Sequence, residues 1–578
     1  MTTSPTSRPC EMPSLAALTA PSYPGRAFSL PVNMAPSGRR PSALAAMVMR
    51  KKSEIDIVLD GEEELVHSYS TYDEIKGHVD VKFDKDTLFD DMIITFEGQS
   101  ATFVEKIAST APTTGRTTGK HTFLRMQQPV HFDVLPEDGM FRAGVTYSLP
   151  FTFVVPDRLL PYICTHKVDN EEIRKEHCQL PPSLGDPTIS GDGHTAMDDL
   201  APDMSKIVYA IRARAIKRGA TSRLIELADR VERIRIVPGK QEEPPLSIDE
   251  NKSDYILRKE KTVKKGLFKI GKIGRLTAET SQPRSLHLPH PRHSRSRESI
   301  STMTTVNLRF DPHTPEDLPP QLDSIVSKLR VYTFFGAAPF RYLPSVYRCD
   351  AWSTLHGVYP ESVPLSSRCL STVSWTRHEP SSEEPGSSST DLSRHLSSYS
   401  TSSASSIPEP SCSYQAGSPF YTASVLVPIS LPSPQSTSRP KVFVPSFNSC
   451  IISRTYSLEL NLSYHTPGTN VSNPRIILKS PIQISSEGGT PPAPAPESDE
   501  AIVAEIERQF GLYEARQLQD ELGLESPIYE ETAAPATTMS MPTTRHASVD
   551  SGAPPEYNAG SVLGRPRGPR TQSVSISA

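Results

Sequence analysis

The chain has 578 residues, of which 56 are proline and 36% are hydrophobic. Its acidic and basic residues nearly balance at a net charge of −5, which excludes a strongly basic chain built to bind nucleic acid. Proline is near twice its usual share and the apolar fraction is low for a wholly globular protein. We therefore expect several folded segments joined to segments that do not fold.

The first 53 residues are expected to be disordered, because eight prolines interrupt them. Order is predicted to begin at residue 54 and to continue to residue 240. In GHVDVKFD, apolar and polar residues alternate strictly, which is typical of a strand with one buried face. Further strands are predicted at IDIVLD, DMIITFEG, HTFLRM, GVTYSLPFTFVV, KIVYAIRARAI and ERIRIVP.

Only SRLIELADRVERI in this half is predicted to be helical, and it is short. Glycines and prolines separate nearly every other run. Short strands at this spacing favour an antiparallel β-sandwich over a parallel α/β sheet.

A second sandwich is predicted over residues 241–490. In TYSLELNLSY, apolar and polar residues again alternate from Tyr456 to Tyr464. The other predicted strands lie in YILRKEKTVKKGLFKIGKIGRLTAET, TTVNLRFDP, IVSKLRVYTFF, YTASVLVPISLP and PRIILKSPIQI. Half of residues 381–406 are serine, so an insert at about 371–418 is predicted to be a disordered surface loop.

Residues 491–578 are predicted to form a tail. Apolar residues at helical spacing, among them Ile502, Ile506 and Phe510, predict a helix at about 499–522. That helix would either pack on the second sandwich or bind a partner. The remainder consists of turn formers and Ser, Thr and Pro, and is expected to be disordered and exposed. It contains the sequence Pro554-Pro555-Glu556-Tyr557.

The seven cysteines are scattered and no two are spaced as C-x-x-C, which argues against a zinc site and a disulfide framework and favours a reducing compartment. The sequence HLPHPRHSR carries His287, His290 and His293 without flanking acids or cysteines, and is interpreted as a solvated loop rather than a metal site. No metal and no cofactor are expected. Neither a membrane span nor a signal peptide is predicted.

Two consecutive all-β sandwiches followed by a proline-bearing tail resemble the α-arrestins, the arrestin-related trafficking adaptors of fungi and animals. The resemblance spans about residues 54–485. It is carried by the order of the phrases MIITFEG, FRAGVTYSLPFTFVVPDRLLP, LPPSLG, VYAIRARAI, KKGLFKIGKIGRLTAETSQP and VPSFNSCIISRTYSLELNLSY. The long serine insert and the single P-P-x-Y sequence depart from many members of the family.

The resemblance implies an adaptor, and no enzyme signature contradicts it: G-x-S-x-G, P-loop, G-x-G-x-x-G and H-E-x-x-H are all missing from the sequence. The implied partners are a HECT-type ubiquitin ligase with WW domains and the cytosolic tails of plasma-membrane transporters or receptors. The adaptor would promote ubiquitination and endocytosis, as a cytoplasmic protein recruited to the plasma membrane and endosomes. The alternative is an arrestin-like signalling scaffold on a membrane sensor, for example of ambient pH, that recruits no ligase.

The predicted WW-binding residues are Pro554, Pro555 and Tyr557. Proline fixes φ near −65°, so the pair favours the polyproline II conformation before binding and loses little entropy on docking. WW domains accept such prolines in an aromatic-lined groove. Pro527 and Tyr529 offer a weaker second docking site, the alternative being an ordinary linker.

Residues 258–275 contain eight cations and one acid. The run is either a solvated lead-in to the first strand of the second sandwich or a contact with an anionic lipid surface, where each cation contributes about 1 kcal/mol. The cations are Arg258, Lys259, Lys261, Lys264, Lys265, Lys269, Lys272 and Arg275.

Four serines follow basic residues in segments expected to be disordered, and are candidate phosphorylation sites. A phosphate adds nearly two negative charges and would recruit a reader that masks the nearby docking sequence. They are Ser42, Ser299, Ser548 and Ser573.

Overall fold

The computed structural model describes residues 54–61, 66–106, 115–130, 134–191, 197–219, 224–246, 254–264, 271–293, 299–347, 355–379, 407–433, 440–465 and 474–491. Within these ranges the chain forms 22 strands and a single α-helix, which confirms the all-β prediction. No helix in the same ranges is both long and apolar enough to cross a membrane.

The first half contains ten strands and helix α1 (Glu171–His177). Strands β1, β3 and β8 form one antiparallel sheet, and a five-stranded sheet of order β2-β10-β9-β5-β6 lies in the same half. The strands are β1 Ile55–Leu59, β2 Ser68–Tyr69, β3 Glu74–Val81, β4 Thr87–Leu88, β5 Asp91–Lys106, β6 Gly115–Gln128, β7 Met140–Phe141, β8 Tyr147–Val154, β9 Ser205–Arg218 and β10 Leu224–Ile236.

The second half contains twelve strands within the described ranges. One five-stranded sheet has the order β11-β12-β14-β18-β17, and another has the order β16-β15-β20-β19 with β21 also paired to β20. The strands are β11 Arg258–Lys264, β12 Lys272–Thr280, β13 Leu286–Leu288, β14 Ser301–Pro312, β15 Gln321–Gly336, β16 His356–Cys369, β17 Thr376–His378, β18 Phe420–Ser430, β19 Phe447–Asn448, β20 Ile452–His465, β21 Arg475–Ile482 and β22 Ile484–Ser486.

Each half has its own hydrophobic core. In β3, Ile75, Gly77, Val79 and Val81 are buried while Lys76, His78 and Asp80 between them are more exposed, which is the alternation that the sequence predicts. The first core also takes in buried residues from 444–452, which belong to the second half of the chain. The first core is therefore built from residues on both sides of residue 240. The predicted domain boundary at that residue stays a prediction.

The prediction that SRLIELADRVERI is helical is wrong. Its described part is strand β10, which pairs with β9 from Leu224 to Ile234. A bulge between Glu226 and Ala228 adds a residue and breaks the two-residue period, which explains why the apolar spacing resembled that of a helix. Tertiary pairing with β9 outweighs the local helix preference.

Helix α1 and strand β16 are among the elements that were not predicted. Helix α1 is short, but Asn170 caps it by accepting a hydrogen bond from the Ile173 amide at 2.9 Å, and two glutamates occupy its first turn. Strand β16 carries Pro360 and Pro364 and lies at the edge of its sheet, where a missing N–H is tolerated.

The predicted serine-rich insert is too wide at both ends. Strand β17, inside the predicted range 371–418, pairs with β18. At the other end, the buried Ser411 amide donates to Asp311 Oδ2 at 2.8 Å. The remaining residues of the predicted insert, 380–406, lie outside the described part of the chain.

Candidate functional site

Most of the residues predicted to bind a partner lie outside the described ranges. Ser299 is described: it is exposed and lies two residues before β14, and its phosphorylation stays a prediction. Those outside are Ser42, Pro527, Tyr529, Ser548, Pro554, Pro555, Tyr557, Ser573 and the helix predicted at 499–522.

The basic run is not a lead-in to the first strand of the second sandwich, because its first part is that strand, β11. β11 pairs antiparallel with β12, which carries the end of the run. Glu260 forms ion pairs with two of the cations. Arg258 Nη2 lies 2.8 Å from one of its carboxylate oxygens, and Arg275 Nη1 lies 3.4 Å from the other. Lys261 Nζ donates to the Arg475 carbonyl oxygen at 2.9 Å.

Three cations of the run, Lys259, Lys264 and Lys272, are exposed, whereas Lys265 and Lys269 lie outside the described residues. Contact with an anionic lipid surface stays a prediction. Among the described residues of the run, the three exposed lysines would each contribute about 1 kcal/mol to such a contact, whereas Arg258 and Arg275 are engaged by Glu260.

The two halves are joined by hydrogen bonds that cross between them. The Asp198 amide donates to the Pro440 carbonyl at 3.0 Å, and the Val442 amide donates to the Asp198 carbonyl at 3.0 Å. Beside this pair, the buried guanidinium of Arg454 donates to the Asp199 carbonyl at 3.0 Å. The Asp199 carboxylate in turn accepts hydrogen bonds from its own loop, from Gly185, Ser190 and Ala201.

A second junction is built around Asp73. His290 Nε2 lies 3.2 Å from its carboxylate, and the Ser70 amide donates to Asp73 Oδ2 at 2.8 Å. Close by, the Gly489 amide donates to the Thr71 carbonyl at 2.7 Å. Burial by itself would raise the pKa of Asp73, but the hydrogen bonds from His290 and Ser70 and the charges of His290 and Arg292 together lower it.

His290 is therefore not in a solvated loop, and that prediction is wrong for this residue. Strand β13, just before it, pairs in parallel with β22 of the same half, and His290 itself contacts Asp73 of the first half. His290 is buried there beside Asp73.

We expect Asp73→Asn to destabilise the chain at pH 5, because asparagine lacks the charge that His290 and Arg292 stabilise. A carboxyl whose pKa is lowered by folding stabilises the fold above its ordinary pKa of 3.8, and that contribution disappears as the pH falls through the lower, folded value. The difference in free energy of unfolding between wild type and variant should therefore shrink below pH 3.8. Urea denaturation at a series of pH values measures it.

The matched control is Asp80→Asn. Asp80 also faces a histidine, His78, but at 3.8 Å and with both side chains more than a third exposed. This pair should contribute little at any pH. An equal, pH-independent effect of the two substitutions would contradict the role assigned to Asp73.

A cleft of about 850 Å³ opens between the two halves. One wall is α1, and the linker residues 239–244 and the segment around Ser446 form others. Its charges are largely paired: Lys175 Nζ lies 2.8 Å from Glu172, and Lys240 contacts both Glu176 and Glu243. The cleft gives solvent access to the inner end of α1.

Behind that wall lie four side chains with metal-ligating atoms: Cys164, His166, His177 and Cys450. Their donor atoms all lie within 4.8 Å of one another. Cys164 Sγ is 3.3 Å from His166 Nε2 and 3.5 Å from His177 Nδ1. Three of the residues are buried and His166 is half-buried.

The protein environment disfavours charge on these four groups. Burial lowers the pKa of His177 to about 4 and also lowers the pKa of His166. Burial raises the pKa of the thiols of Cys164 and Cys450. Without a cation among them, the four side chains are neutral at pH 7.

This cluster was hard to find from the sequence alone. The absence of a C-x-x-C sequence argued against a zinc site. That criterion detects only metal ligands that lie close together in the sequence. Cys450 lies 286 residues after Cys164, so only the fold brings them together. The pair Cys164-x-His166 was the local signal.

The chain matches no protein-family model and no curated protein sequence. Its function therefore has to be argued from its own sequence pattern and geometry.

Proposed function

We propose that this protein is an adaptor that links a WW-domain HECT ubiquitin ligase to plasma-membrane cargo, a transporter or receptor, and so promotes ubiquitination and endocytosis. The chain itself makes or breaks no bond. It raises the concentration of the ligase near its substrate, which is enough to raise the rate of modification. In this proposal the chain is cytoplasmic and is recruited to the plasma membrane and endosomes through its cargo.

The proposal is carried by the order of two β-sheet cores followed by the docking sequence at Pro554. The cores are joined through Asp198 and Asp73, which supports a single stable platform for cargo. Pro554 lies 63 residues beyond Pro491, the last described residue. A fully extended segment of that length spans at most about 210–230 Å, which leaves a ligase ample reach to lysines of a bound cargo.

Replacing Tyr557 by alanine is expected to weaken binding of the WW-domain ligase about 30-fold. The tyrosine ring fills a pocket of the WW domain, and losing such an anchor costs about 2 kcal/mol. Titration of the full chain with the WW domains of the ligase, followed by calorimetry, measures the change. In cells, ubiquitination and turnover of the cargo should fall with it.

Glu556→Ala is the matched control, since the residue between Pro555 and Tyr557 faces solvent in this binding mode and should be neutral. The variant Tyr529→Ala reports on the weaker second site. If Tyr557→Ala left ligase binding and cargo turnover unchanged while membrane recruitment persisted, the chain would instead be a signalling scaffold that recruits no ligase.

A further inference from the structure

We propose that Cys164, His166, His177 and Cys450 bind one zinc ion, and that this ion joins the two sandwiches. The site is independent of the adaptor role: it concerns how the two halves are held together, whatever they bind. Cys164, His166 and His177 come from the first half of the chain and Cys450 from the second.

The distances fit a tetrahedral site. Zinc bonds of about 2.3 Å to sulfur and 2.0–2.1 Å to nitrogen place sulfur and nitrogen ligands about 3.5 Å apart. The two separations from Cys164 Sγ to the histidine nitrogens are 3.3 and 3.5 Å. The widest separation in the cluster is below 4.8 Å, so the four side chains need to contract by only about 1 Å around an ion.

The donor set selects the metal class. Two sulfurs and two imidazole nitrogens in tetrahedral array are typical of zinc, whereas calcium and magnesium require oxygen ligands. Binding would release the two thiol protons, and two thiolates then balance the charge of Zn²⁺. The zinc-loaded site therefore has no net charge. This matters because Cys164, His177 and Cys450 are only 0%, 1% and 2% exposed, and a net charge is costly in such a buried place.

The surrounding backbone holds the ligands in place. His166 Nδ1 lies 3.3 Å from the Lys167 carbonyl, which leaves its Nε2 directed at the cluster. The guanidinium of Arg174 donates to the Cys164 carbonyl. On the other side, the Phe340 amide donates to the Cys450 carbonyl at 2.7 Å. Such second contacts fix the orientation of metal ligands.

The cleft between the two halves reaches residues that neighbour the site. Arg174 and Cys178, on and just after α1, line the cleft between the halves and lie next to the cluster. His177 ends α1, so the helix that forms a wall of the cleft also supplies a ligand.

The test is the metal content of the full chain purified with a reductant and without a histidine tag. Inductively coupled plasma mass spectrometry should find one zinc per chain in the wild type. The double variant Cys164→Ser/Cys450→Ser should hold about tenfold less or lower still. Cys178→Ser, which removes the thiol adjacent to His177, is the matched control and should retain the full amount.

A measurement on the wild type alone guards against a variant that fails to fold. After removal of zinc with a chelator, cobalt(II) should restore one equivalent of binding, with the intense visible absorption and sulfur-to-metal charge transfer of a tetrahedral S₂N₂ site. Chelation should also lower the midpoint of thermal unfolding of the wild type and leave that of the double variant unchanged.

Three results would overturn the proposal: wild-type chain without zinc after exposure to a zinc salt, equal zinc in wild type and double variant, or octahedral cobalt spectra. A Cys164–Cys450 disulfide found by peptide mapping of the freshly isolated chain would also overturn it, since oxidised sulfur does not ligate zinc.

Discussion

Replacing Asp229 by alanine is expected to lower the free energy of unfolding by about 3–5 kcal/mol. Arg212 Nε and Nη2 each lie 2.8 Å from one oxygen of the Asp229 carboxylate, a bidentate pair that bridges β9 and β10. Arg212 is only 1% exposed, so its charge cannot turn to water when the carboxylate is removed. Breaking one side of a buried ion pair is costly for that reason.

The neighbouring charges add to the cost. Arg214 lies opposite Asp229 in the register of β9 and β10 and is also buried. Burial first, and then the charge of Arg212, lower the pKa of Arg214, while Glu97 and Asp229 act in the opposite direction. Without Asp229, the buried Arg212 and Arg214 keep the negative charge of Glu97 nearby but lose that of Asp229. The repulsion between the two arginines is then less well compensated.

Urea denaturation of the full chain measures this effect, with Asp56→Ala as its control. Asp56 also faces an arginine across strands, but Arg230 Nη2 is 3.7 Å away and both side chains are exposed. We expect that control to cost less than about 1 kcal/mol. Comparable losses from the two substitutions would mean that the Arg212–Asp229 pair contributes no more than a surface pair.

Replacing Gly185 by alanine is the second change expected to have a large effect, about 2–5 kcal/mol. Gly185 has φ of +73°, where an L-residue costs about 1–2 kcal/mol. A β-carbon there would also lie 2.1 Å from the Ser205 carbonyl oxygen, and such overpacking adds about 1–3 kcal/mol. The backbone cannot easily move away, because Leu184 and Ile207 exchange two hydrogen bonds beside it.

Gly144→Ala separates the two contributions. Gly144 has a similar φ of +77°, but no atom lies within 4 Å of the place its β-carbon would take. We expect it to show the backbone strain alone, about 1–2 kcal/mol. If thermal unfolding of the two variants shifted by the same amount, the contact with Ser205 would relax at no cost and the prediction for Gly185 would be wrong.

The strands with one buried and one wet face were predictable from sequence. In β3 the alternation of apolar and polar residues directly reports the direction of each side chain. In β20 the same alternation does not mark a wet face, because Ser457, Glu459 and Ser463 are buried in a strand that is paired on both sides. The prediction failed where that relation is disturbed. In β10 a bulge shifts the period, and in β16 the two prolines look like strand breakers until the edge position of that strand is known.

The candidate sites also differ in how far the sequence alone could predict them. The docking sequence ending at Tyr557 is contiguous, so it can be identified without a fold. The cluster of Cys164, His166, His177 and Cys450 is assembled from segments far apart in the chain, and no local spacing encodes it. The sequence does not show that Glu260 forms ion pairs with Arg258 and Arg275, two of the eight cations in residues 258–275. These ion pairs depend on the pairing of β11 with β12.

The insertion of residues 444–452 into the first core bears on the order in which the chain folds as it is made. The first sandwich has its own strands complete at Ile236, yet Val444 follows 208 residues later. At about 5–20 residues per second the ribosome needs about 10–40 s to supply that missing piece. During that interval the apolar residues that pack against residues 444–452 in the folded protein lack those partners on the nascent chain, and exposed apolar surface of this kind promotes aggregation.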